Sequence, residues 1–143
     1  MAHTDTGIDA IEKTLQKTNE WIKELESALG WEDRHFAFHA LRAVLHHLRD
    51  RLPVATVAHL GDQLPVLVRG VYYENWNPTR EQPQLRTATD LFDQLSIDFP
   101  KEYNLDAPTM ARAVCGVVKA HISAGELRII RANLPADWAA LFG

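Results

Sequence analysis

Arg42-Ala43-Val44 recurs seventy positions later (42 to 112) as Arg112-Ala113-Val114, and Leu64-Pro65 recurs at the same offset as Leu134-Pro135. No gap is needed between the two matches. A repeat at a fixed offset indicates one structural unit written twice, because each copy keeps the residues that its packing requires. We therefore expect an internally duplicated chain.

The spacing of apolar residues within each copy is helical. One stripe in each copy recurs at intervals of three and four, which is the periodicity of an amphipathic helix. These stripes are Ala37, Leu41, Val44, Leu48 and Leu52, and then Ala107, Ala111, Val114, Val118 and Ile122. Since no segment shows a sustained period of two, the sequence predicts an all-α, internally duplicated helical bundle. Its two similar units have about four helices each, over residues 1–75 and 87–143, with a linker at 76–86.

Several local signals mark helix boundaries. Apolar residues from Ile8 through Ile11 and Leu15 predict a long first helix over residues 8–29, with Gly30 ending it. Two pairs have capping-box spacing, Thr87 with Asp90 and Ser123 with Glu126. Each pair predicts a helix start.

Composition excludes two broad classes of function. The chain has 143 residues, a formal net charge of −4 and no run of Lys or Arg, so it lacks the basic surface that phosphate-backbone binding requires. No stretch approaches the roughly 18 apolar residues of a membrane span. The one cysteine, Cys115, takes the place of Leu45 in the other copy and is expected to pack as a small apolar side chain. We expect a cytosolic protein that binds neither nucleic acid nor membrane.

Two shared or unusual positions suggest structural roles. Arg42 and Arg112 occupy the same place in the two copies, and each is expected to pair with a carboxylate or with carbonyls at a helix end. Gly70 stands where the other copy has Ala140. Because glycine costs about 1 kcal/mol relative to alanine inside a helix, it predicts a close backbone approach.

Histidines mark the first candidate site. His35, His39 and His46 follow one face of the second helix, and Asp50 lies one turn beyond His46. Their counterparts are Leu105, Thr109, Gly116 and Ala120, so the fold does not need them. Imidazoles four residues apart can chelate a divalent metal with a carboxylate as a further ligand. A metal site is one interpretation and a solvated polar face is the other, since the glutamate of the H-E-x-x-H motif is missing.

A second candidate site is an aromatic and cationic cluster. Arg69, Tyr73 and Trp76 share one side if the helix continues that far, and this combination is common at interface hot spots. The alternative is that the aromatic residues seal the junction between the units. Arg49 and Asp50 are either the edge of an anion site or part of a surface ion-pair network. The candidate binding set is therefore Arg69, Tyr73, Trp76, Arg49, Asp50 and His46.

Catalytic signatures are missing. The sequence has no G-x-S-x-G, no phosphate-cradling glycine loop and no His at a recognisable spacing from Ser or Cys. It therefore gives no catalytic residue and no cofactor, and it favours a non-enzymatic protein.

Longer strings resemble an uncharacterised bacterial family, domain of unknown function 2267. The resemblance covers roughly residues 17–143 and is carried by Leu48-Arg49-Asp50-Arg51-Leu52-Pro53, His59-Leu60-Gly61-Asp62-Gln63-Leu64-Pro65, Arg69-Gly70-Val71-Tyr72-Tyr73-Glu74 and Asn133-Leu134-Pro135. It implies a small, cytosolic, all-helical and internally duplicated bacterial protein, and it implies no activity. Asn75 stands where the family pattern suggests a glycine.

Two functions remain open. The first is a non-enzymatic helical interaction module that binds a protein partner or itself around Arg69, Tyr73 and Trp76. The second is a small-ligand or metal-binding protein, a hydrolase included, that uses the His/Asp/Arg face of the first unit. A pocket holding His46, Arg49 and Tyr73 would favour the second, whereas an exposed aromatic and apolar patch would favour the first.

Overall fold

A computed structural model describes residues 6–80 and 85–143, and within them it contains helices and no strand. This confirms the all-α prediction. The helices are α1 (Asp9–Leu29), α2 (Arg34–Arg51), α3 (Val54–Asp62), α4 (Val66–Tyr72), α5 (Ala88–Asp98), α6 (Ala107–His121), α7 (Ala124–Ala132) and α8 (Ala136–Ala139), and α8 runs into a 3-10 turn at Ala140–Phe142. No helix among the described residues is long and apolar enough to cross a membrane.

Helix α1 ends where the sequence predicts but buries only part of its apolar stripe. Gly30 has a φ of 69° and its N–H bonds back to the last turn, a left-handed helix end that glycine adopts without strain. Trp21 and Leu25 are buried, whereas Ile11 and Leu15 are 40% and 39% exposed. The first turns of α1 therefore extend beyond the core.

Side-chain caps start the two central helices and α5. Asp33 accepts from the N–H of Phe36 at the start of α2, and Asp106 accepts from the N–H of Thr109 at the start of α6. The predicted capping box at the start of α5 is present in full. Each such cap satisfies an N–H that the helix leaves free and contributes about 1 kcal/mol.

The second predicted capping box is only half formed. Ser123 accepts from the N–H of Glu126 as expected. The N–H of Ser123, however, donates to Oε1 of Gln63 at 2.8 Å, so the carboxylate of Glu126 does not close the box. This bond ties the end of α3 to the start of α7.

All the helices share one hydrophobic core. Buried side chains from α1 to the final 3-10 turn form a single cluster, and α1 packs on α6 while α2 packs on both α5 and α6. Cys115 is fully buried in this cluster, as expected, and burial raises the pKa of its thiol to about 12. Residues 6–75 and 87–143 therefore do not bury separate cores.

Two tight backbone positions lie near the end of α4. Asn75 has a φ of 58°, a left-handed conformation that glycine and asparagine accept most readily, so asparagine can replace the glycine of the family pattern. The predicted close approach at Gly70 is wrong, because nothing lies within 4 Å of a Cβ added there. The close approach is at Gly61, where an added Cβ would lie 2.3 Å from the hydroxyl oxygen of Tyr73.

Candidate functional site

A cleft of about 500 Å³ lies between α2 and the C-terminal end of α5. It is walled by polar side chains of α2 on one side and by α5 and the loop after it on the other. The lining residues are His39, Arg42, Ala43, His46, His47, Arg49, Asp50, Asp98, Phe99, Pro100 and Tyr103. The cleft therefore holds His46 and Arg49, as the small-ligand hypothesis requires, but the tyrosine that lines it is Tyr103 and not Tyr73.

The polar wall consists of side chains that the 3.6-residue period of α2 places on one face of that helix. His39, Arg42 and His46 are three and four residues apart, so their side chains stand one above another on the same face. Ala43 lies among them and leaves room for the cleft. His39 is exposed, while Arg42 and His46 are partly buried.

A histidine of α2 and an aspartate of α5 contact each other in the wall of the cleft. Nε2 of His47 lies 2.9 Å from Oδ2 of Asp98, the last residue of α5. The other carboxylate oxygen of Asp98 accepts from Gln94 at 3.0 Å. This contact fixes the end of α5 against α2.

Phe99 and Tyr103 supply the aromatic rings of the opposite wall, and both pack on Phe36 of α2. The ring of Phe36 lies 5.6 Å from that of Phe99 and 5.1 Å from that of Tyr103, and Trp31 lies 4.7 Å from Phe36 on the outer side. These centroid distances are those of packed aromatic pairs. The hydroxyl group of Tyr103 has no hydrogen bond within residues 6–80 and 85–143.

The prediction for the shared arginines holds for one of the two. Nε of Arg42 donates to Oε1 of Glu74 at 3.0 Å, and its guanidinium lies 4.8 Å from the centre of the Phe38 ring. Arg112 is exposed and has no carboxylate or helix-end carbonyl as a partner in the described chain. The prediction is therefore wrong for Arg112, whose charge acts on the Asp106 carboxylate without a hydrogen bond or an ion pair among the described residues.

His46 is held as a neutral imidazole. Its Nε2 lies 2.7 Å from the carbonyl oxygen of Val71, and since a carbonyl only accepts, Nε2 carries the proton and Nδ1 keeps its lone pair. Burial lowers the pKa of His46, more than the Val71 carbonyl raises it, and the charge of Arg49 lowers it further. His46 therefore presents a hydrogen-bond acceptor at neutral pH.

Arg49 is not a surface group. It is 5% exposed, its Nη1 donates to the carbonyl oxygens of Tyr72 and Glu74 at 2.8 Å each, and its Nε donates to Oδ1 of Asp50 at 2.8 Å. A cation here satisfies carbonyls that α4 leaves free at its C-terminal end. The expected intra-helix pair of Arg49 with Asp50 is present, but its expected place at the surface is wrong for Arg49, because α4 folds back over α2.

Arg69, Tyr73 and Trp76 are arranged differently from the predicted helical face. Helix α4 ends at Tyr72, so Tyr73 and Trp76 lie beyond it, with their rings 5.4 Å apart and both partly buried. Arg69 donates to the carbonyl oxygens of Gly61 at 2.7 Å and Leu64 at 3.2 Å. Its guanidinium therefore caps the end of α3.

The proposed metal ligands do not converge. His35 and His39 are exposed, Nε2 of His46 is bonded to a carbonyl, and Asp50 is paired with Arg49. No group of three His, Cys, Asp or Glu side chains in the described part of the chain is placed to hold a metal ion.

Half of the cleft was not predicted. Asp98, Phe99, Pro100 and Tyr103 were not candidates, because α5 and its following loop reach α2 only through tertiary packing, and His47 of α2 was not a candidate because its partner Asp98 lies on α5. One signal was available, since position 98 carries a carboxylate where position 28 in the other copy carries alanine.

Comparison with known proteins gives a family and no function. The family model whose description is "Uncharacterized conserved protein (DUF2267)" matches residues 18–141, which is most of the chain and includes every residue of the cleft. No curated protein matches the chain. The chain belongs to the family of uncharacterized conserved proteins DUF2267.

Proposed function

We propose that the protein is a non-enzymatic binding protein that holds a small polar molecule in the cleft between α2 and α5. The observation that carries this proposal is the cleft itself, whose volume of about 500 Å³ lies within the range of small-molecule sites. It also combines an aromatic wall with polar groups, which is the usual make-up of such sites.

Several polar atoms of the cleft are available to a ligand. Both Nη atoms of Arg42, Nδ1 of His46, Oδ2 of Asp50 and the hydroxyl of Tyr103 have no hydrogen-bond partner within the described residues. They offer both donors and acceptors. Enzymatic chemistry is not part of the proposal, because no nucleophile paired with a base lines the cleft.

We also propose the internal duplication, with matching units in residues 1–75 and 87–143. Helix bounds support it, since α2 and α6 end at positions 51 and 121, α3 and α7 span 54–62 and 124–132, and α4 and α8 begin at 66 and 136. Each pair differs by the seventy positions of the sequence repeat. Tyr72 and Phe142, equivalent at this offset, are both buried.

A second groove supports a functional role for the polar cleft. It lies between α1 and α6 and is lined by Glu24, Ala28, Arg112, Ala113, Gly116, Val117 and Ala120. Six of these positions match cleft positions at the seventy-residue offset, namely Asp98, Arg42, Ala43, His46, His47 and Asp50 in the same order from Ala28. Helices therefore pack in this way without equivalents of His46, His47, Asp50 and Asp98, although Glu24 gives the groove a carboxylate at another position, so this set of polar side chains is specific to the cleft.

A partner-binding or self-associating role is the second candidate. The guanidinium of Arg69 already donates to backbone carbonyls, so Arg69 does not support this role. The observation that supports it is a set of exposed apolar side chains beside Arg69, Tyr73 and Trp76. Val66 and Leu67 of α4 are 64% and 42% exposed, and Ile11 and Leu15 of α1 are exposed nearby. We place either role in the cytosol, in keeping with one unpaired, buried cysteine.

The proposal is tested by removing three polar side chains of the cleft that have no polar equivalent in the second groove. The triple variant His46→Ala, His47→Val and Asp50→Ala is compared with wild type and with Arg112→Ala, which changes the other groove. Each protein is screened by amide NMR against a library of small amines, carboxylates and amino acids at millimolar concentration, with circular dichroism to verify folding.

Some library members are expected to shift the amide resonances of residues 39–50 and 98–103 in wild type and in Arg112→Ala, but not in the folded triple variant. The proposal is wrong if no member shifts these resonances in wild type, or if the triple variant responds as wild type does.

A further inference from the structure

We infer that the ligand of the cleft is a small zwitterion, with its anionic group at Arg42 and its cationic nitrogen at Asp98. This inference rests on the proposed binding function and names its ligand class. It follows from the partners that the charged side chains of the cleft already have, and from where Arg42 and the contact of Asp98 lie along α2.

Arg42 provides the positive end. Its one bond to Glu74 uses Nε and leaves the outer edge of the guanidinium, with two Nη donors, without a partner in the described residues. This edge suits a carboxylate, which can accept two parallel hydrogen bonds from it. His39, one turn earlier on the same face and exposed, offers a further donor.

Asp98 provides the negative end. Asp50 is paired with the guanidinium of Arg49 at 2.8 Å, whereas among the described residues the hydrogen-bond partners of Asp98 are His47 and the amide of Gln94. Asp98 ends α5, whose last turn has no basic residue, so the negative end of the helix dipole adds to its charge. A ligand ammonium here would also face the rings of Phe99 and Tyr103, which attract cations.

The two ends are separated by a definite length of helix. Asp98 contacts α2 at His47, five residues after Arg42, which corresponds to about 7.5 Å along the helix axis. The rings of Phe99 and Tyr103 line the same cleft and suit a short apolar chain. The ligand class is therefore a molecule with opposite charges joined by several methylene groups or a ring, rather than a simple ion.

The second groove provides an internal comparison. It keeps a guanidinium at Arg112 but has Ala28 where the cleft has Asp98. The groove has its carboxylate at Glu24 instead, one turn before Ala28 and paired with His121, so the two charges are spaced differently in the groove and in the cleft.

The test uses four probes on the full chain: 6-aminohexanoate, hexanoate, hexylamine and glycine. The first carries both charges at a suitable separation, the next two carry one charge each, and glycine carries both too close together. Dissociation constants are measured by amide NMR titration for wild type, Asp98→Asn and Arg42→Gln, with Arg112→Gln as the matched control. Asp98→Asn keeps an acceptor for His47 and removes the charge.

We expect 6-aminohexanoate to shift the resonances of residues 39–50 and 98–103, and to bind about tenfold or more tightly than each of the other three, since one charge-assisted contact is lost in each. Asp98→Asn should weaken 6-aminohexanoate and hexylamine by about tenfold and leave hexanoate unchanged. Arg42→Gln should weaken 6-aminohexanoate and hexanoate and leave hexylamine unchanged. Arg112→Gln should change none of them.

Two outcomes overturn the inference and can be told apart. If hexanoate or hexylamine binds as tightly as 6-aminohexanoate, or if all four probes fail while other library members bind in the cleft, the ligand is not a zwitterion of this kind and the binding function stands. If nothing in the library binds in the cleft, the proposed function fails together with the inference.

Discussion

Replacing Arg49 should lower the free energy of unfolding more than replacing any other cation of α2. In Arg49→Met, the carbonyls of Tyr72 and Glu74 lose their 2.8 Å donors and Asp50 loses its 2.8 Å partner. Removing one member of a buried charged network costs about 3 to 5 kcal/mol. Because the methionine side chain recovers some apolar burial, we expect a net loss of about 3 kcal/mol in the free energy of unfolding.

Urea denaturation followed by far-UV circular dichroism measures this loss. With a slope of about 2 kcal/mol per M, the midpoint should fall by about 1.5 M. Arg42→Met is the matched control, because Arg42 and Glu74 are 34% and 43% exposed and such a pair is worth about 0.5 kcal/mol. Arg49→Lys should fall between the two, since an ammonium keeps the charge but does not reproduce the geometry of the guanidinium.

The reasoning fails if Arg49→Met and Arg42→Met lose the same stability within about 0.5 kcal/mol. That result would mean that α4 keeps its position without the guanidinium, and that water satisfies its carbonyls equally well.

Three further predictions concern other elements. Gly61→Ala should destabilise by about 1 to 2 kcal/mol, because its Cβ would meet Tyr73 at 2.3 Å, whereas Gly70→Ala should stabilise by about 0.5 to 1 kcal/mol; equal midpoints in urea would contradict this. Thr87→Ala removes the cap of α5 and should cost about 1 kcal/mol, and an unchanged melting temperature would refute the role of the cap. Because the folded pKa of His46 lies below its ordinary 6.5, the unfolded state takes up the proton first as the pH falls through 6.5, and stability is lost from there down to the folded pKa. His46→Gln keeps a donor for Val71 without titrating, so it should lose less stability than wild type between pH 7 and pH 5; a difference curve that is flat or opposite in sign would count against the assignment.

Local sequence signals predicted most of the helical framework. The end of α1 at Gly30 and the start of α5 at Thr87 follow from chemistry within a few residues of each boundary. The buried face of α2 follows from its period. Such features need no knowledge of the rest of the chain, which is why one sequence is enough to find them.

The features that were missed depend on distant partners. Whether Arg49 is buried depends on α4 returning to α2, more than twenty residues later in the chain. The capping box at Ser123 is incomplete because the backbone N–H of Ser123 donates to Gln63, a residue sixty positions away, instead of to Glu126. Asp98 and Tyr103 join the cleft only once α5 lies against α2. The spacing of residues along one helix carries no information on these contacts between distant segments.

Helix α1 packs against α6, which lies far away in the sequence, and this has a consequence for synthesis on the ribosome. Trp21 stacks on His121 at 4.7 Å between ring centres, so α1 completes its surroundings only after α6 has been translated. Until then the apolar side of α1 remains without its final neighbour and is a natural target for chaperones. Folding of this chain is therefore a late event in translation, and an mRNA truncated before α6 should yield an aggregating fragment instead of a half-sized folded protein.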